Sequence, residues 1–301
     1  MKNYEFYELC KEATAEEVKA AINSGADPNA RVKYGRTALT AACNCNTSAV
    51  VKVLLEAGAD PNATEFEGWT ALMSVVDKDE VELKTVKLLI DAGADVNAKN
   101  DFGTTPLLRA VCWNNRPDIV KVLLEAGADM YAFGAIGFDD FEYGSTTPVQ
   151  ASIAKWDNTI IKIFLDAGVD VNRRYGGGQT LLIEAAGMYK SADTVRFLLD
   201  AGADVNMRRY DDFTALLAAA ECYTSPDAED TIKMLLDAGA DPNVRYNGLY
   251  ALDYARRNEA LKGTEALRRL EAVTEILPDI QKKVSQLKSL SVFWSTVHLA
   301  E

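Results

Sequence analysis

The sequence predicts an all-α solenoid of stacked helix-turn-helix units, joined by hairpin loops and closed by terminal capping helices. Three observations predict it. A Gly-Ala-Asp or Gly-Val-Asp string returns at Gly25, Gly58, Gly93, Gly127, Gly168, Gly202 and Gly239, with spacings of 33, 35, 34, 41, 34 and 37 residues. An apolar stretch precedes each glycine, as in VVKVLLEA, TVKLLIDA and TIKMLLDA. About twelve residues past most of these glycines comes a second signature, as in GRTALTAA, GWTALMSV and FTALLAAA. A unit of this size cannot bury its apolar face alone, but stacked copies can.

Each element has a local reason. Before the glycines, apolar residues recur at i, i+3 and i+4, which marks one helix face. The glycine fits the left-handed position that ends a helix. The following asparagine suits a turn, because its side chain can bond its own backbone. Thr37, Thr70, Thr105, Thr147, Thr180 and Thr214 stand where they cap the next helix. Pro106 and Pro148 take its first position, where a missing N–H costs nothing. The alanines that follow let neighbouring helices approach.

The expected organisation is a repeat array over 1–262 followed by a helical extension or cap over 263–301. Within the array, 1–30 is an N-terminal cap repeat, 31–247 are internal repeats, and 248–262 is the last repeat. Seven hairpins plus end caps are expected. The stretch GTEALRRLEAVTEI predicts a further helix that Pro278 ends. Beyond it, Ile280, Val284, Leu287 and Trp294 share one helical face. The tail 279–301 either covers the last repeat or reaches a partner.

These residues closely resemble the ankyrin-repeat family, whose pattern includes G-x-T-P-L-H-x-A and G-A-D-V-N. The resemblance covers about 1–260. One departure is systematic. The family's motif histidine is replaced by Thr40, Met73, Leu108, Gln150, Ile183 and Leu217. Its inter-repeat hydrogen bonds are therefore expected to be lost, with apolar packing as the replacement. The resemblance implies a non-catalytic scaffold that recognises a protein or peptide on a concave face built from hairpin tips and first helices.

Composition agrees with a folded, non-enzymatic chain. It has 301 residues, a formal net charge of −13 and a pI near 4.7, with one histidine, His298. The acidic charge disfavours general nucleic-acid binding. The first residues are acidic where a leader needs an apolar core, and no apolar run spans a membrane. A cytoplasmic location is expected, with non-classical export as a bacterial effector left open. A lone histidine defeats most nucleophile and metal schemes. Cys10, Cys43, Cys45, Cys112 and Cys222 form no disulfide framework. The Cys43–Cys45 pair reads as small apolar residues on a helix. GGGQT at 176–180 lacks the rest of a phosphate loop and reads as a flexible tip. The stretches 77–84 and 223–230 read as acidic, solvated turns. No catalytic residue, metal ligand or cofactor is expected.

The candidate partner-binding residues lie at the hairpin tips. Basic residues recur two places after the asparagine, at Arg31, Lys99, Arg174, Arg208 and Arg245. Aromatic neighbours are Tyr34, Phe66, Trp69, Phe102, Tyr175, Tyr210 and Tyr246, with Phe213 beside them. Stacking would align them as a mildly basic, aromatic rim on an acidic body. Aromatic residues beside arginine suit protein recognition. The connection after Gly127 is longer than its neighbours and carries Phe138, Phe141 and Tyr143. It either folds back on the array or projects as a binding finger. Trp113 and Trp156 would floor it. A monomer is expected, with the C-terminal helix as a route to self-association. The alternative function is binding of single-stranded nucleic acid, with tyrosines stacking on bases and arginines meeting phosphates.

Overall fold

The computed structural model describes residues 1–45, 47–78, 82–113, 116–135, 145–154, 158–188, 192–223 and 225–274. The chain divides into two compact units, Met1–Gly168 and Val169–Glu301. The tail 279–301 and most of the long loop lie outside the described residues, and with them Phe138, Phe141, Tyr143 and Trp156.

The first unit holds helices α1 (Asn3–Glu12), α2 (Ala15–Asn23), α3 (Ala38–Cys45), α4 (Ser48–Glu56), α5 (Ala71–Val76), α6 (Leu83–Asp91), α7 (Pro106–Cys112), α8 (Pro117–Glu125), α9 (Pro148–Ala151) and α10 (Thr159–Asp166). The odd-numbered helices from α1 to α9 pack in one layer, each on the next. The even-numbered helices from α2 to α10 pack in a second layer. A short antiparallel pair, β1 (Gly134–Ala135) and β2 (Ser145–Thr146), brackets the long loop.

The second unit repeats the scheme. Helices α11 (Leu181–Ala186), α13 (Ala215–Glu221) and α15 (Ala251–Arg257) form one layer, while α12 (Ala192–Asp200) packs on α14 (Ala228–Asp237). Strands β3 (Arg245–Tyr246) and β4 (Leu249–Tyr250) make the last tip. Residues 265–274 are helical. They bury Ala266 and Leu270 and reach α14 through the ion pair Arg269–Asp237 at 2.6 Å.

The local signals act as expected. The Thr70 hydroxyl accepts from the Met73 N–H, and Thr105, Thr147, Thr180 and Thr214 repeat that cap on Leu108, Gln150, Ile183 and Leu217. Each such cap contributes about 1 kcal/mol. Gly58 takes φ 85° just past α4, a region where a Cβ would be strained. On α4, Val50, Val51 and Leu54 are buried, while Lys52 and Glu56 face outward and pair at 3.6 Å. At the former histidine positions Met73, Leu108, Ile183 and Leu217 are fully buried, so packing replaces the lost bonds. Thr40 stays polar there: its hydroxyl donates to the Thr37 carbonyl at 2.9 Å.

One expectation is corrected. The side chains of Asn29, Asn62, Asn97, Asn172 and Asn206 do not bond their own turn, whereas Asn243 Nδ2 donates within its turn to Asp241 Oδ1 at 2.9 Å. The aspartate two residues earlier does so, as when the Asn62 N–H donates to Asp60 Oδ1 at 2.9 Å. From Asn29 to Asn206 the asparagine amide instead reaches the next repeat. Asn29 Nδ2 donates to the Gly58 carbonyl at 2.8 Å, and Asn29 Oδ1 accepts from the Asp60 N–H at 2.7 Å. Asn62, Asn97, Asn172 and Asn206 make the same pair of bonds.

Candidate interaction surface

In the first unit the hairpin tips bring Tyr34, Phe66 and Trp69 to one place. Tyr34 sits in the left-handed region at φ 67° and is followed by Gly35 at φ 73°. That turn pushes the Tyr34 ring outward, leaving it 54% exposed, and Phe66 on the next tip is 62% exposed. Their rings meet edge-to-face with centroids 6.0 Å apart. Such pairs are worth about 0.5–1.5 kcal/mol beyond burial. With Arg36, Glu65, Trp69 and Ser74 they line a groove of about 500 Å³. Glu67 also lines it, and Lys33 Nζ lies 4.7 Å from the Tyr34 centroid, so charges of both signs flank the rings. Phe102 is partly exposed on the following tip and Lys99 is exposed there.

Behind this groove stands a residue the sequence reading missed. Arg109 on α7 is buried, with its guanidinium 4.9 Å from the Trp69 ring and 3.8 Å from the Trp113 ring. It also pairs with Asp77 at the end of α5. Next to it, Lys78 Nζ donates to the Cys43 carbonyl at 2.7 Å and to the Asn44 carbonyl. Asp77 and Lys78 are therefore packing residues, and the beginning of 77–84 is not a solvated turn. The visible signal was an arginine inside an otherwise apolar first helix, PLLRAVC.

The tip arginines bond within the chain. Arg31 Nη1 donates to the Thr64 carbonyl on the next tip at 3.0 Å. Arg174 donates to the Arg208 carbonyl in the same way, with its guanidinium 6.0 Å from the Tyr210 ring. Arg208 lies 3.7 Å from Asp241 and 3.6 Å from Asp212. Arg245 donates to the Tyr250 hydroxyl and stacks on its ring at 4.4 Å. All are exposed, so each bond is worth little by itself.

The aromatic residues of the second unit differ from one another. Tyr210 is 77% exposed, whereas Tyr175 and Tyr246 are half-buried. Phe213 is buried, which corrects its reading as a rim residue. Its ring packs edge-to-face on Tyr246 at 4.7 Å. The glycine tip is also corrected: Gly178 is buried, and a Cβ there would lie 2.9 Å from the Tyr210 backbone nitrogen. The Tyr210 N–H donates to the Gly177 carbonyl at 3.1 Å. This glycine serves close packing between tips. In 223–230, Ser225 and Ala228 are buried, so that stretch is only partly solvated.

Chemistry elsewhere is sparse. Burial pushes the Cys10 and Cys43 thiols up to about 12, which keeps both protonated and unreactive near neutrality. Among the described residues no three His, Cys, Asp or Glu side chains group as metal ligands, and no helix is long and apolar enough to cross a membrane.

Comparison with known proteins agrees with this architecture. The family model for ankyrin repeats in three copies matches residues 58–133 and 149–246. A second model, for ankyrin repeats in many copies, matches 20–72. No curated protein matches the chain. The repeated hairpins, the capping threonines and these matches agree, and the chain belongs to the ankyrin-repeat family.

Proposed function

We propose that the protein is a non-catalytic scaffold that recognises a protein or peptide through its hairpin tips and first helices. Ankyrin repeats generally mediate protein–protein interaction, and the residues here suit that role. The observation that carries the reading is the groove of the first unit, where Tyr34 and Phe66 stay exposed although the chain has a large core to hide them in. Rigid aromatic side chains give contact area at low entropic cost, and they concentrate at binding hot spots. Trp69 is held half-buried by Arg109, so its exposed edge is pre-organised for contact. The arginines contribute differently from the sequence expectation: Arg31 and Arg174 bond to the next tip, and Arg245 bonds Tyr250 within its own.

Nothing favours the nucleic-acid alternative. Its phosphate-binding arginines are engaged on carbonyls, carboxylates and a tyrosine. Quantitative affinity capture from the source cells tests the reading, with wild type compared to a Tyr34→Ser/Phe66→Ser double variant. A set of proteins held by the wild type and lost from the variant supports it. Identical captured sets would remove the groove from the binding surface.

A further inference from the structure

The second unit has a recess of its own, of about 360 Å³, between α11 and α13. Gln179, Ile183, Glu184, Met188, Phe213 and Glu221 line it. Small residues keep it open: a Cβ added at Gly187 would lie 3.6 Å from the Ala218 Cβ.

Its chemistry is one-sided. Arg209 reaches the recess, but its guanidinium donates to Asp211 at 2.7 Å and lies 5.0 Å from the Phe213 ring. That positive charge is already answered. Glu221 adds a negative charge to the lining. Glu221 has no hydrogen bond or ion pair among the described residues. The Gln179 Oε1 atom is buried and accepts no hydrogen bond. A buried acceptor without a donor costs free energy, and it is relieved by a ligand that brings one. Ile183, Met188 and Phe213 supply an apolar wall beside these acceptors.

We propose that this recess takes the side chain of a lysine or arginine from a partner peptide. The methylene stem would lie on the apolar wall, as long basic side chains do. The cationic head would meet Glu221, and one of its N–H groups would satisfy Gln179. An apolar side chain would strip water from the Glu221 carboxylate and leave Gln179 unsatisfied. An acidic one would meet like charge. The cation is the occupant that answers both Glu221 and Gln179. The inference rests on the protein-recognition reading and adds the identity of one contact.

Panning a random dodecapeptide display library on the full chain tests it. The targets are wild type, Glu221→Gln, and Gly187→Leu, which narrows the recess without changing charge. Lysine and arginine should be enriched about threefold or more at one aligned position on the wild type and on neither variant. Replacing that residue by norleucine in a selected peptide should weaken binding to the wild type about tenfold, as read by calorimetry. Peptides selected without basic enrichment, or with it retained on both variants, would overturn the inference while leaving protein recognition standing. Failure to select any peptide would overturn both.

Discussion

The Asn62 side-chain amide donates to the Gly93 carbonyl at 2.9 Å while its oxygen accepts from the Asp95 N–H at 2.7 Å. One side chain therefore satisfies two backbone groups of the following repeat. An asparagine can do this because it carries donor and acceptor on one planar amide. Asn62→Ala should destabilise the chain by about 1–3 kcal/mol in urea denaturation, since two backbone groups lose their partner. Asn62→Asp should not rescue it, because the aspartate cannot donate to the carbonyl. An unchanged urea midpoint for both would show that the clip contributes nothing.

Gly177 and Gly178 offer a paired test of close packing. Both have positive φ, 70° and 81°, but only Gly178 is crowded, with Tyr210 backbone nitrogen 2.9 Å from an added Cβ. Gly177→Ala should cost about 1 kcal/mol from backbone strain alone. Gly178→Ala should cost about 2–4 kcal/mol, since the neighbouring tip must also move. Equal midpoints in thermal denaturation would mean that the two tips are not in contact.

Arg109 and Arg31 separate a buried guanidinium from an exposed one. Arg109→Ala removes the Asp77 pair and the contact with two tryptophan rings, and should cost about 2–3 kcal/mol. Intrinsic tryptophan fluorescence should shift to longer wavelength as Trp69 and Trp113 gain water. Arg31→Ala removes one exposed bond to Thr64 and should cost about 0.5 kcal/mol or less. A larger loss for Arg31 would make the tip column a main source of stability.

The last helical segment is tied to α14 by charge, so its docking should depend on pH. The Arg269 guanidinium beside Asp237 holds that carboxyl below its ordinary range. A carboxyl depressed in the folded state stabilises above its unfolded pKa, near 4, and loses that contribution as pH falls through the folded value. Arg269→Ala should therefore lower the Tm at pH 7, and the difference from wild type should shrink as pH falls below about 4. A difference that persists undiminished in acid would assign the effect to packing.

Much of this fold is readable from the sequence because its signals are local. A threonine caps the helix that begins beside it, and a glycine ends the helix that precedes it. What the sequence left unread depends on partners about one repeat away. Asn62 looks like a turn residue until Gly93 is placed against it. Arg31 looks like a binding residue until Thr64 appears in its reach. Phe213 and Phe66 read alike as tip aromatics, yet one is buried and the other exposed, because each is displaced differently from the helix start. Arg109 was hidden because its helix reads as core, and only the stacked layer brings Trp69 across it.

The proposed partner sits on the hairpin tips of the first unit. Hydrogen exchange of the full chain, alone and saturated with a captured partner, tests it most directly. Bound partner should slow exchange in 31–37 and 64–74, the segments that carry Tyr34, Phe66 and Trp69, and leave α4 and α6 unchanged. Protection confined to α4 and α6, with the tips exchanging as before, would contradict it.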